Sequence, residues 1–291
     1  MVKFKMIRYN NKEYPPNIPC NINEVAGNFD KPEMTQNGRY SLHTEYSFGK
    51  RKFDSTFLNE LNEIKSANKN GIPQLWKSKA WAKEFVMFIE RFLENSVAPE
   101  IIEIHPPFID YCKTINDFLE IYGEFEKLIL EKYADVNLFI ENRCGTNYGK
   151  KFLISNSDDV VNLCEQLSKK NYRLQMVLDY PQLFSGESLS SDKLDKNNIT
   201  EIMIKVKSCK KYFGGIHLWG KKKTNERWCA HNGDLNTLFN MDNERKELFL
   251  KLLYETFDDD ISRYMVLEVN SDTSDLKSIA GDLETHEFKF I

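Results

Sequence analysis

Six short apolar runs in this 291-residue chain carry a histidine or an acidic residue at or near their C-terminal end. They read YSLHTEY at His43, EIIEIHPP at His105, NLFIENRCG at Glu141, LQMVLDYPQ at Asp179, GGIHLWG at His217 and YMVLEVN at Glu268. His231 follows in a polar loop. Runs of this length and composition, bounded by Pro, Gly or Asn, are strand signals. Few architectures bring so many strand ends to one place, so the pattern constrains the fold before anything else is considered.

The spacing narrows the choice. His105 to Glu141 is 36 residues, Glu141 to Asp179 is 38 and Asp179 to His217 is 38, about the length of a strand, a helix and two loops. The expected fold is α/β, a (β/α)8 barrel, in which functional side chains come from the C-terminal ends of different strands. Helical signals lie between the strands. Ile115, Phe118, Leu119, Tyr122, Phe125, Leu128 and Ile129 recur at helical spacing,. Ser157, ahead of Asp158 and Asp159, reads as an N-cap,, and residues 198–211 and 243–257 read as two more helices.

Two stretches break the rhythm. The 62 residues from His43 to His105 predict two helices, about 54–70 and 78–95, split at Gly71-Ile72-Pro73,. The first 38 residues offer one clear strand, Phe4 to Tyr9, then a Pro/Asn-rich stretch from Tyr14 to Pro19. Seven strands are therefore clear, and the eighth comes from this poorly patterned part or is missing, leaving the barrel irregular there. The chain reads as one barrel domain over residues 1–291, with the motifs in 39–270 and a C-terminal helix or tail in 271–291,.

Histidine nitrogens together with carboxylate oxygens suit Zn, Mn, Co or Fe(II) better than Mg or Ca. Seven such residues, His43, His105, Glu141, Asp179, His217, His231 and Glu268, exceed the needs of one ion, so a binuclear site with a bridging carboxylate is expected,. Taken singly, each has a plainer explanation: a strand-end histidine is usually a satisfied, partly buried one, and a strand-end aspartate often caps the next helix.

Net charge is -4, which by itself predicts neither nucleic-acid nor membrane binding,. Its distribution says more. Lys50-Arg51-Lys52, Arg143 with Lys150-Lys151, and Lys221-Lys222-Lys223 with Arg227 each follow a ligand-bearing strand. Phosphate contacts are expected from Arg143, Lys221, Lys222 and Arg227, although three-residue basic runs are ordinary in a chain with 40 Lys and Arg. Tyr46, Phe48, Tyr148, Tyr180, Trp219 and Trp228 can stack on bases or sugars, Tyr46 first among them, or pack the barrel mouth. His286 reads as a surface residue. No basic start leads into a long apolar run, and no stretch reaches the ~18 apolar residues of a membrane span. The six cysteines form no CxxC pair, which fits reduced thiols. A cytoplasmic location without membrane contact is expected.

The segments resemble the endonuclease IV family of apurinic/apyrimidinic endonucleases, within the xylose-isomerase-like barrel superfamily. The family's Glu-Asn-Thr-Ala-Gly-x-Gly motif is similar to Glu141-Asn142-Arg143-Cys144-Gly145, and its Leu-Asp-Thr-x-His-x-Phe-Ala motif to Leu178 through Ser185. Its His-x-Asn-Asp-Ser-Lys and Asp-x-His-x-x-Gly segments are similar to His217–Lys221 and to Cys229-Ala230-His231-Asn232-Gly233. His43 with Tyr46 resembles its His-x-x-Tyr, and His105-Pro106 its His-Pro. The resemblance runs over about residues 40–270 as ordered short motifs. It implies one zinc on His43, His105 and Glu141 and a second on Glu141, Asp179, His217 and Glu268, with Glu141 bridging. The positions of the family's third zinc read Gln182, Cys229 and His231, where the family has His, Asp and His, and glutamine is a poor zinc ligand,. The family's N-terminal DNA-penetrating loop has no clear counterpart in the first 38 residues.

Three readings follow. The first is a metal-dependent phosphodiesterase or endonuclease acting on nucleic acid, DNA above all, with Glu141, Glu268 and His105 as catalytic residues and zinc as the metal. The second is a sugar isomerase or epimerase holding one Mn or Co on Glu141, Asp179, His217 and Glu268, with Glu141 and Glu268 moving protons. The third is a binding module on a decayed barrel. His43, His105 and His231 favour the first, because the isomerase site does not require them as ligands.

Overall fold

A computed structural model of the protein describes residues 1–144, 151–224 and 227–291, with the side chains of all of these except 223, 224, 227 and 228. Eight strands follow one another around one sheet: β1 (Lys3–Arg8), β2 (Ile22–Gly27), β3 (Tyr40–Thr44), β4 (Ile101–Ile104), β5 (Asn137–Glu141), β6 (Gln175–Asp179), β7 (Phe213–Leu218) and β8 (Arg263–Leu267). β8 pairs in parallel with β1, Phe4 opposite Arg263 and Ile7 opposite Val266, and this pairing closes the sheet. A short strand, Lys289–Phe290, adds to β1. The architecture is the expected α/β barrel with helices between its strands.

The eighth strand comes from the poorly patterned N-terminal part as β2. Only Ile22 and Gly27 at its two ends are buried, so the sequence INEVAG shows no apolar alternation,. The expected helix over 54–70 is not formed. That stretch holds turns, a one-turn helix at Asn62–Ser66 and an antiparallel pair, Asn68–Lys69 with Ile72–Pro73. Side chains there compete with the helix for backbone amides. Asp54 Oδ1 accepts from the N–H groups of Thr56 and Phe57, and Asn68 Oδ1 from that of Gly71 at 2.7 Å. Glu60, Asn70 and Gly71 all have positive φ, at 69°, 57° and 82°.

The chain divides into two compact units, one of Met1–Glu24, Asn156–Val161 and Met176–Ile291, the other of Val25–Ser155 and Asn162–Gln175. In the second, α1 (Lys79–Phe92) starts on Ser78, whose side chain accepts from Trp81 N, and α2 (Ile115–Lys132) on a Thr114/Asp117 capping box,. Their apolar faces enclose an aromatic core. Trp76 lies 5.3 to 5.7 Å, centroid to centroid, from Trp81, Phe85, Phe118 and Phe125. Its indole N–H leaves this core to donate to the His105 carbonyl at 2.7 Å, which ties the packing to the end of β4.

α3 (Ser157–Leu167) opens on Asn156 rather than on the expected Ser157. Asn156 Oδ1 accepts from Asp159 N, and Asn156 N donates to the Asp159 carboxylate,. Ser157 instead donates both N–H and O–H to Glu187. α4 (Lys196–Lys207) ends short of the expected 211 and gives way to a 3₁₀ turn at Lys210–Tyr212. α5 (Asn243–Phe257) matches its expected range, and α6 (Thr273–Thr285) follows β8. His286, expected at the surface, is 18% exposed and lies 3.0 Å from Glu247. Among the described residues, no helix is long and apolar enough to cross a membrane.

Candidate metal centre

In the unit containing Val25–Ser155, ligand-type atoms of His43, Glu103, His105 and Glu141 all lie within 4.8 Å of one another. The strands dictate this. β3 and β4 run parallel with His43 opposite Glu103, and side chains two apart on a strand share a face, so Glu103 and His105 point to the same side. Thr44 Oγ1 donates to the Glu103 carbonyl at 2.8 Å and fixes the two strand ends together. His105 is 1% exposed, Glu103 2% and Glu141 0%. Burial at this level is costly for charges without a counter-ion.

His105 defines the chemistry of this group. Its Nδ1 lies 3.1 Å from the Glu45 carbonyl, which can only accept, so Nδ1 carries the proton of the neutral ring,. Nε2 then presents a lone pair to Glu141 Oε2 at 2.9 Å and to His43 Nε2 at 2.9 Å. Protonating the ring would answer this, but burial holds His105 below the usual imidazole range, with Glu141 opposing. His43 Nε2 is 3.8 Å from the same Glu141 oxygen. Ligand atoms around a tetrahedral zinc stand roughly 3.3 Å apart, and these spacings of 2.9 to 3.8 Å bracket that figure. The donor set could hold a metal ion.

The unit containing Met176–Ile291 gathers Asp179, His217 and Glu268, again within 4.8 Å. Asp179 stands opposite His217 in the β6–β7 pairing. Asp179 uses Oδ1 to cap the short helix Tyr180–Gly186 through Gln182 N, at 2.8 Å, and Oδ2 to accept from the Trp219 indole, also at 2.8 Å. His217 Nδ1 is 3.3 Å from Glu268 Oε1. His231 Nδ1 is 3.3 Å from Glu268 Oε2, and its ring stacks on Trp219 at 4.3 Å. A tight return positions that histidine. Gly220 N donates to the Gly233 carbonyl, and a Cβ on Gly220 would stand 2.2 Å from the Asp234 carbonyl oxygen.

Six of the seven expected ligands thus fall into groups of ligand-type side chains, and His231 contacts Glu268 beside them. Among the described residues, no group of three or more His, Cys, Asp or Glu side chains includes Cys229 or His231. Gln182 is buried, and its backbone N–H donates to Asp179 Oδ1. Glu103 was not expected, although its place two residues before His105 in EIIEIH was the available signal.

The basic and aromatic candidates are largely engaged. Arg143 Nη1 is 3.2 Å from Glu141 Oε2, Lys222 pairs with Asp275 at 2.7 Å, and Lys221 donates to Pro181 O and to Ser185 Oγ. The Tyr46 ring lies 4.5 Å from the Arg51 guanidinium and 4.9 Å from that of Arg143. Tyr180 and Trp219 are buried and pack the barrel instead of offering a face to a ligand. Lys150 and Tyr148, and the side chains of Arg227 and Trp228, lie outside the described residues.

No family model matches the chain, and no curated protein does. Solved structures do. A xylose isomerase domain protein from Planctomyces limnophilus aligns over 86% of this chain and 87% of its own, at 14% identity and a TM-score of 0.41. A psychrophilic glycoside hydrolase family 10 endo-beta-1,4-xylanase aligns over 80% and 78%, at 10% identity and a TM-score of 0.39. The barrel described above rests on the chain's own strand order.

Proposed function

We propose that the protein is a metal-dependent phosphodiesterase of the endonuclease type acting on nucleic acid, with two divalent ions, zinc by preference, and Glu141 shared between them. The observation that carries this reading is the buried group of His43, Glu103, His105 and Glu141, present in addition to Asp179, His217 and Glu268. A single-metal isomerase site would use Glu141, Asp179, His217 and Glu268 and leave the two converging imidazoles without a task.

When bound, such ions supply Lewis acidity at phosphorus and water of lowered pKa. The chain's residues set the stage for that chemistry. Glu45, through its carbonyl, holds His105 in the tautomer that offers Nε2. Trp219 holds the Asp179 carboxylate and the His231 ring. Glu268, between His217 and His231, is the carboxylate placed to take up or return a proton,. Arg143, Lys221, Lys222 and Arg227 are the proposed phosphate contacts, and Tyr46 serves by seating Arg143.

The test is metal content of protein purified without chelator, followed by cleavage of abasic and intact oligonucleotides. Two zinc-class ions per chain and metal-dependent cleavage are expected. Glu141→Gln is expected to lower cleavage by roughly a hundredfold or more while the protein still folds. A variant of undiminished activity would exclude the shared-ligand role, and a single manganese or cobalt would move the assignment to an isomerase.

A further inference from the structure

Arg143 follows the ligand Glu141 by two residues, and its backbone N–H donates to the Ile154 carbonyl at 2.9 Å, which anchors it beside the end of β5. Its guanidinium reaches back into the cluster. Nη1 is 3.2 Å from Glu141 Oε2, the oxygen that also faces His105 Nε2 at 2.9 Å and His43 Nε2 at 3.8 Å. The Arg143 side chain is only 12% exposed. Two aromatic rings also lie near it: Cζ is 4.9 Å from the Tyr46 ring centroid and 5.8 Å from that of Phe48. Arg51, the neighbouring guanidinium on Tyr46, is held by Glu45 at 2.8 Å and does not touch the cluster.

We infer that Arg143 is an internal counter-cation at Glu141 that competes with the metal and, once metal is bound, turns to an anionic group of the ligand. The inference rests on the metal-dependent reading above. A divalent ion bonded to Oε2 at about 2 Å stands within a few ångströms of a guanidinium bound to the same oxygen. Two cations at that range in a site shielded from water repel strongly. The guanidinium therefore gains by leaving Glu141 when the ion arrives. Tyr46 and Phe48 give it a second seat, because an arginine over an aromatic face keeps part of its stabilisation without a carboxylate. From there its fork of N–H groups can turn to a phosphate in two-point fashion. The ligand class this selects is a phosphate ester or another compact oxyanion. A neutral sugar gains nothing from the same group.

Thermodynamic linkage makes the idea testable without turnover. If Arg143 stabilises the metal-free form more than the metal-bound form, its removal must tighten metal binding by the same factor. The measurement is cobalt(II) affinity by competition with a chelator, read from the visible spectrum of the bound ion, for the parent, Arg143→Gln and Arg143→Lys. Arg143→Gln is expected to bind cobalt roughly tenfold more tightly or better, since a hydrogen bond to a charged partner is worth about that much. Its metal-free melting temperature falls while its metal-loaded one stays near the parent's. Inorganic phosphate, which shifts the parent's cobalt spectrum, does so in Arg143→Gln only at roughly tenfold higher concentration or more. Arg143→Lys, which keeps a cation in place, stays within about threefold of the parent in cobalt affinity. Equal or weaker cobalt binding by a folded Arg143→Gln overturns the competition, and an unchanged phosphate response overturns the anion role. A parent that binds no cobalt overturns this inference together with the metal-dependent reading, whereas a parent that binds it and a variant that matches overturns this inference alone.

Discussion

Glu45 is fully buried just past the end of β3, and each of its oxygens has a task. Oε2 accepts from Phe29 N at 2.9 Å, Oε1 from Tyr46 N at 3.0 Å, and the carbonyl receives His105 Nδ1. Burial pushes its carboxyl up to about 7, against the pull of Arg51 and of the two amides. The folded pKa is thus above the ordinary 4.5, so between these two values the folded chain holds a proton that the unfolded chain has lost. Unfolding free energy contributed by this group falls as pH rises through that window, and the cost is complete above about pH 7. Measured in denaturant with chelator present, the parent is expected to lose on the order of 3 kcal/mol relative to Glu45→Gln between pH 4.5 and 7.5. Parallel pH profiles for the two proteins would show that Glu45 ionises at its ordinary value and that Arg51 fully compensates its burial.

At the scale of the element, the return that follows β7 depends on the absence of a side chain. A Cβ on Gly220 would lie 2.2 Å from Asp234 O and 2.4 Å from Gly233 C, and both are backbone atoms that cannot rotate aside. Gly233, at φ +115°, occupies backbone space that other residues rarely enter,. Gly220→Ala is expected to lower the denaturant midpoint by the equivalent of about 1–3 kcal/mol or more, at unchanged slope. An unaffected midpoint would mean the chain does not approach itself there. The elements themselves were unevenly legible. Ligand-type side chains at the ends of β3 to β8 could be read because buried strands leave continuous apolar runs, and a polar residue closing such a run stands out. Glu103 obeys the same period-two rule as His105 but is hidden inside its run. β2 is only half-buried along its middle and so carries no apolar signature, while at 54–70 the helical spacing lost to side chains that bind local amides. The Arg143 contact could not be read at all, because it depends on which way one loop side chain folds back.

For the molecule as a whole, the question is how a chain of net charge -4 meets the polyanion proposed as its substrate. Long-range attraction is not available from the total charge, so contact must come from local cations. Arg51 is on Glu45, Arg143 on Glu141 and Lys222 on Asp275. These pairs differ in how readily they yield. Lys222 is 44% exposed, and an exposed pair of this kind is worth little, so a phosphate displaces Asp275 at small cost,. Arg51 is 16% exposed and its partner fully buried, so it stays where it is,. Arg143 turns outward only with metal bound, in the proposed competition at Glu141. Lys221 keeps a carbonyl and a hydroxyl. Among the described residues, Arg143, Lys221 and Lys222 are the cations proposed to meet phosphates, and since each neutralised phosphate contributes close to one unit, a plot of log affinity against log salt for duplex DNA should have a slope of roughly -2 to -4. Arg143→Gln and Lys222→Gln should each flatten it by about one, and Arg51→Gln should leave it unchanged. A slope steeper than about -6 would mean that the paired cations all leave their carboxylates on binding. Affinity indifferent to salt would remove the phosphate backbone from the recognition altogether and leave a small, compact ligand for the site.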